Sequence, residues 1–167
     1  ATYADASRPD DSGDGSTSGT AKKTIGAALA ATAPNGTCFV AAGIYSEQPF
    51  VGPAGVTLQG AGPDSTVVTS RASRATWNNA NGDALCSNWE SVVWIQDTNV
   101  TVAGLALAEA QRGVLFAGTG RSIATVSNCV IRNSDIAGIT QQSGAPYGRL
   151  TVNQCQVTHN GDGIVLA

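Results

Sequence analysis

The sequence predicts an all-β solenoid, a parallel β-helix closed at its start by a short capping helix. Three observations carry that expectation. First, the last third of the chain repeats itself. Gly113, Gly138 and Gly163 follow one another at 25-residue intervals (113 to 138, 138 to 163), each before an apolar residue: Val114, Ile139 and Ile164. Val102, Val126 and Val152 keep step upstream, as do Leu105, Cys129 and Cys155, and Leu107, Ile131 and Val157. A period between 20 and 50 residues is the mark of a solenoid. Second, apolar residues alternate within each round, as in "VAGLAL", "SNCVIR" and "NQCQVT". Period two describes strands with one buried face, whereas helical repeats would need a period near 3.6. Third, the composition is 42% hydrophobic and 13% charged, with 20 glycines and no methionine, which suits a turn-rich β protein.

The elements follow in order. "DDSGDGSTSGT" (10–20) is a polar loop, and "KKTIGAALAATA" (22–33) places Ile25, Leu29 and several alanines on one face of a short helix. "PNGT" stops it. "TCFVAAGIY" (37–45) reads as a strand, and "GVTLQGAGPDSTVV" (55–68) as two strands around a Gly-rich corner. A stack of coils has open ends with unpaired edges, and the amphipathic helix covers one of them. Residues 69–90, "TSRASRATWNNANGDALCSNWE", interrupt the coils as a long inserted loop. The expected organisation is a single domain over 1–167, with loop and cap in 1–36 and coils in 37–167. The chain reaches "GDGIVLA" in mid-coil, which suggests a piece of a longer chain or an open end covered by another chain or copy.

In the three closing rounds, Asn128 with Gln154 and Asn133 with Asn160 mark successive corners. The repeat glycines are expected to turn the chain through positive φ. Cys129 and Cys155 should face inward as an unbridged apolar stack. Cys38, in a strand, and Cys86, in the long loop, are the disulfide candidates.

Composition excludes several function classes. The net charge is −3, Lys22 and Lys23 are the only lysines, and the seven arginines are scattered, so no basic stripe for nucleic acid exists. No run of 18 apolar residues suggests membrane insertion. One histidine and four cysteines without CxxC spacing offer little to zinc. "DDSGDGS" gathers Asp10, Asp11 and Asp14 and is the one place that suggests Ca²⁺, although it lacks EF-hand spacing. "ATYADAS" would suit the mature start of an exported protein.

The order "DSGDGS", "KTIGAAL", "GTCFVAAGIY", "GVTLQGAG" resembles the N-terminal end of the right-handed parallel β-helix superfamily, the pectate-lyase-like (pectin-lyase-fold) proteins. With the coils, the resemblance covers nearly the whole chain. It implies a right-handed helix and a secreted protein directed at polysaccharide, acidic or neutral, with the chemistry of a polysaccharide lyase or glycoside hydrolase if it is an enzyme. Lyases need a cation or metal against a uronate carboxylate and a base for the C5 proton; hydrolases need two facing carboxyl groups. The outward positions after the repeat glycines are Leu115, Thr140 and Val165, none an acid or base. The N-T-D, D-D, G-H-G and R-I-K hydrolase motifs are absent, and "SVVWIQD" (91–97) resembles a pectate-lyase strand without its Asp-His pair.

Catalytic candidates therefore sit near corners: Arg132 and His159 on adjacent coils, with Asp135 and Asp162 beside them. In the inserted loop, Trp77 and Trp89 with Arg71 and Arg74 suit sugar rings, indole faces taking CH groups and polar neighbours taking hydroxyls. The competing expectation is a non-catalytic structural or adhesive module that associates through its open end.

Overall fold

The computed structural model describes residues 1–70, 91–95, 98–116, 122–141 and 148–166. The chain is a right-handed parallel β-helix. Every strand pairing among the described residues is parallel.

Strand β1 (Thr2–Ala4) pairs with β2 (Thr37–Val40), so segment 1–36 contributes a strand as well as loop and cap. The loop between them is built from aspartates that bind their own backbone two residues on: Asp5 accepts from Ser7 N, Asp10 from Ser12 N and Asp14 from Ser16 N, each at 2.9 Å. Helix α1 (Ile25–Ala30) is six residues long, shorter than the 22–33 read from the sequence. Thr24 explains the late start, since its side chain caps the helix by accepting from Ala27 N. Ile25, Ala28 and Leu29 form its buried face.

The segment read as one strand over 37–45 is two, β2 and β3 (Gly43–Ser46), separated by a corner at 41–42. Each round then places strands on three faces. After β4 (Phe50–Val51) come β5 (Thr57–Gly60), β6 (Thr66–Thr69) and β7 (Ser91–Ile95). Next are β8 (Val100–Ala103) and β9 (Ala106–Phe116), then β10 (Ile123–Ser127) and β11 (Val130–Gln141). The final coil is β12 (Arg149–Asn153), β13 (Gln156–Thr158) and β14 (Asp162–Leu166). One sheet runs β1-β2-β5-β8-β10-β12; a second runs β3-β6-β9-β11-β13; β4, β7 and β14 join the second halves of β9 and β11 as the third face.

Register reproduces the repeat read from the sequence. Val102 lies opposite Val126, and Val126 opposite Val152. Leu107, Ile131 and Val157 share a column, as do Val114, Ile139 and Ile164. These columns point inward and, apart from half-exposed Ile164, pack in the core with Leu58, Val93, Ile95 and Phe116.

Three corner columns carry left-handed backbone: Asn35, Gly55 and Asn99; Gly104, Asn128 and Gln154; Glu109, Asn133 and His159. Asn128 and Gln154 thus share a corner as expected. Asn133 is matched by His159 rather than Asn160, whose amide instead ties two coils: its Oδ1 accepts from Ser134 N at 2.9 Å and its Nδ2 donates to Ile131 O at 3.1 Å. The repeat glycines are also corrected. Gly113, Gly138 and Gly163 are absent from the positive-φ positions, and the first two are glycine for want of space. A Cβ at Gly138 would meet Val157 Cγ1 at 2.5 Å and the Gly163 carbonyl oxygen at 2.9 Å.

Cys38, Cys129 and Cys155 are free thiols. Cys38 is fully buried beside Thr2 and Thr32, and burial pushes it up to about 11. Cys86, its expected disulfide partner, lies outside the described residues. Cys129 and Cys155 donate to backbone carbonyls, Val102 O and Ser127 O for the first, Val126 O and Asn153 O for the second.

Candidate functional site

Two regions of the outer surface carry chemistry. The first is the corner of the last two coils, where Arg132, Asp135, His159 and Asp162 are each exposed. Arg132 pairs in register with Thr158, the residue before His159. Asp162 lies opposite Ala137, two residues beyond Asp135. A register shift between Ser134 and Ala137 swells β11 outward and puts Asp135 and Ile136 on the bulge. His159 occupies a left-handed corner position (φ 54°), a conformation in which His, Asn and Asp are enriched. The backbone alone accounts for its place there. Two carboxylates, a guanidinium and an imidazole on adjacent coils are nonetheless the acid–base set the sequence indicated.

The acidic loop does not form a calcium cage. Asp11 accepts from Thr24 N and Thr24 Oγ1 at 2.8 and 3.0 Å, while Asp14 accepts from Ser16 and Thr20. Each carboxylate serves its own turn, and no three His, Cys, Asp or Glu side chains converge among the described residues. Hydrogen bonds from Thr20 and Ser16 hold Asp14 down at about 2. Trp77, Trp89, Arg71 and Arg74, the expected sugar contacts, lie outside the described residues.

The second region was not anticipated. An open groove of about 670 Å³ runs between α1 and the stretch from Glu47 to Pro53, with Leu29, Gln48 and Phe50 in its walls. One of these lining residues is aromatic. Phe50 stands outward from β4, 47% exposed, and Trp94 stands outward beside it on β7, in register. Their rings meet edge to face at 5.5 Å and 90°, a favourable quadrupolar arrangement.

Glu47 forms the groove's polar end. Its two carboxylate oxygens accept from Ile25 N and Gly26 N, both at 2.9 Å, so it fixes the cap to the coil stack. Burial raises it above the ordinary carboxylate value, against the opposing pull of those two backbone bonds. Gln48 Nε2 is shielded from solvent with no hydrogen-bond partner. Among the described residues, no lysine, arginine or histidine lines the groove. The two lysines just before α1 are engaged elsewhere: Lys22 Nζ donates to Asp11 O at 2.9 Å and Lys23 Nζ to Pro9 O at 3.1 Å.

The signal for this region lies in "YSEQPF" (45–50), a polar run ending in an aromatic just outside a strand. Periodicity could not point to it, because its walls come from segments twenty residues apart. No helix among the described residues is long and apolar enough to cross a membrane.

No family model and no curated relative matches the sequence. Among solved structures, two crystal structures of pectin methylesterase match. One is a mutant in complex with hexasaccharide IV, the other a complex with hexasaccharide VII. Each superposes with a TM-score of 0.51 at 12% identity, covering 99% of this chain and 66% of the other. A pectin methylesterase from Aspergillus niger gives a TM-score of 0.40 at 18% identity, with 99% and 67% covered. The first two likenesses concern the fold, and this chain spans 66% of the length of those proteins.

Proposed function

We propose that this chain is a secreted, polysaccharide-directed β-helix protein that holds a glycan against Phe50 and Trp94 in the groove beside α1. The observation that carries the reading is Phe50, a large aromatic left half exposed in the lining of a groove and propped edge-on by Trp94. A sugar ring offers CH groups to such a face and hydroxyls to a rim, which Glu47 and Gln48 supply. The fold supports the reading, since the two structures it superposes on hold hexasaccharides. Trp77, Trp89, Arg71 and Arg74, in the segment between β6 and β7, are proposed as further sugar contacts.

If the protein is a lyase or hydrolase, its chemistry belongs at the corner of the last coils. Arg132 or His159 would take a proton, and Asp135 with Asp162 would be the carboxyl pair. Two measurements separate binding from catalysis. Affinity electrophoresis in polysaccharide gels should show retardation that Phe50→Ala weakens and Phe50→Tyr keeps. Absorbance at 235 nm and reducing-end release over a panel of polymers, with and without Ca²⁺, should report turnover that Asp135→Asn and Asp162→Asn remove. Retardation without turnover on any polymer would leave a binding module.

A second reading is favoured by one observation. Ile164 points inward in register with fully buried Ile139 but is 50% exposed. A structural or adhesive module that associates with another chain through this coil is the reading that half-exposed residue would support.

A further inference from the structure

We infer that Asn35 and Asn99 are paired sites of N-linked glycosylation on one corner of the solenoid, modified when the chain is exported past the transferring enzyme. Of the proposed function it uses export alone. Asn35-Gly36-Thr37 and Asn99-Val100-Thr101 are the two Asn-x-Ser/Thr acceptors in the sequence, and neither has proline in the middle. Register brings them together. Thr37 lies opposite Thr57, and Thr57 opposite Thr101, so Asn35, Gly55 and Asn99, each two residues earlier, stack as one corner. The two asparagines are separated by two strand spacings, about 10 Å. The fold accounts for both acceptors at once. This corner takes left-handed backbone, with φ 60° at Asn35, 76° at Gly55 and 57° at Asn99, a conformation that Gly and Asn tolerate. The strands after it carry Thr at 37, 57 and 101. Where Asn fills the corner in place of Gly, the chain therefore reads Asn-x-Thr.

The folded corner can keep such a sugar because its asparagine side chains are spare. Both residues are exposed, and among the described residues no hydrogen bond engages either side-chain amide. Backbone bonds hold the corner instead: Asn35 N donates to Ala54 O at 3.1 Å and Gly55 N to Thr98 O at 2.9 Å. Asn160 is the contrast, since its amide is committed to Ser134 N and Ile131 O. Gly55 leaves room between the two acceptors, because a Cβ there would run into Asn35 Oδ1. The co-reactant is an oligosaccharide joined through C1 to a lipid diphosphate. Asn Nδ2 displaces the diphosphate: an Nδ2–C1 bond forms, the C1–O bond breaks, and the lipid diphosphate leaves with the electron pair. One Nδ2 proton passes to a base of the transferring enzyme. The product costs the corner no hydrogen bond. At Asn35 it is rooted beside the groove, whose lining includes Thr32 and Pro53.

The test is translation of the intact chain, behind a cleavable leader, in the presence of microsomes that carry the transferring enzyme. Protection from added protease identifies the chains that have crossed. Those chains should migrate with two added mobility steps, both removed by endoglycosidase H. Asn35→Gln and Asn99→Gln should each remove one step, and the double variant both. Thr37→Ala and Thr101→Ala should remove the same steps with each asparagine still in place, whereas Thr37→Ser should keep its step. Transfer precedes folding, so a variant that folds poorly still reports. The purified glycosylated protein should melt at the same temperature as the protein trimmed by endoglycosidase H. Protected chains without added steps, or steps that persist in the double variant, would overturn the assignment. A single step would overturn the pairing, and a melting temperature lowered by the sugars would overturn the corner as a place the fold leaves free for them. Two steps with no retardation in any polysaccharide gel would remove the groove reading and leave these sites standing; retardation without steps would do the reverse.

Discussion

At Gly138 and Gly163 one repeat position meets two different surroundings. Both follow the same corner and precede an inward isoleucine in register. At Gly138 a Cβ would collide with Val157 Cγ1 and with the Gly163 carbonyl of the next coil; at Gly163 nothing lies within 4 Å. Neither carries positive φ, so the difference is one of space alone. Gly138→Ala should cost about 1–3 kcal/mol, the usual range for overpacking, and Gly163→Ala almost nothing. Chemical denaturation of the two variants checks this; equal losses would mean that backbone conformation, not the approach of the next coil, demands glycine. His159 shows the complementary case. At φ 54° its backbone, shared with Asn133 and Glu109 in the same column, already accounts for a residue tolerant of left-handed geometry. Sequence reading saw an imidazole on a polar corner and could not see the dihedral that puts it there.

Helix α1 is too short to stand by itself, and it survives on three acceptors from outside its own turns. Thr24 caps it, Asp11 holds Thr24, and Glu47 reaches from the end of β3 to its first two N–H groups. The carboxylates respond to pH with opposite sign. Asp14, held by Thr20 and Ser16, and Asp11, in which the bonds from Thr24 outweigh burial, have folded values below the ordinary 3.8. Their contribution is complete above 3.8 and is lost as pH falls through their folded values, about 2 for Asp14. Glu47 is raised above 4.5 by burial. Its contribution is complete below 4.5 and is lost as pH rises through its folded value. Melting temperature against pH should therefore fall on both sides: steeply in acid, a limb that Asp14→Asn makes shallower, and gently above 4.5, a limb that Glu47→Gln flattens. A profile unchanged above 4.5 by Glu47→Gln would show that its two N–H bonds offset its burial completely. The strands were far more legible than this cap. Stacking forces residue equivalence, so Val102, Val126 and Val152 announced their register in the sequence. The same stacking aligns Thr37, Thr57, Thr101, Thr125 and Thr151 on the outer face of the first sheet, yet the unequal connections between early coils hide that column from a search for a fixed period. The groove was hidden for a different reason: its walls are joined by Glu47, and a single side-chain tether leaves no periodic trace.

Across the whole molecule, burial falls along the stack. Inward residues of the middle coils, Leu58, Val102, Val126, Leu107, Ile131, Val114 and Ile139, are fully buried. Their equivalents in the last described coil, Val152, Cys155 and Val157, are only partly buried, and Ile164 is half exposed. Among the described residues, strands β12 and β13 each end a sheet, with a neighbour on one side only. In a solenoid each coil touches only its neighbours, so stability is close to a sum of coil and interface terms, and a coil with one interface opens first. A fully buried aliphatic side chain contributes roughly 1.5–3 kcal/mol over an exposed one, so the half-buried column of the last coil forfeits enough to open locally without the rest. Amide hydrogen exchange should then rank the strands. Backbone N–H groups of β8 and the first half of β9 should exchange only through global unfolding, those of β10 and β11 more slowly than those of β12 and β13, and the last coil fastest of the paired strands. Repeating the measurement over a hundredfold range of protein concentration separates the two functional readings. If another copy covers the last coil, protection of β12, β13 and β14 should rise with concentration while β8 stays unchanged, and light scattering should show the larger species. Protection that is graded along the stack and indifferent to concentration leaves the glycan groove as the functional surface and removes self-association through that coil. Uniform protection from β2 to β13 would contradict the additive picture itself, because a coil with one neighbour would then be held as firmly as a coil with two.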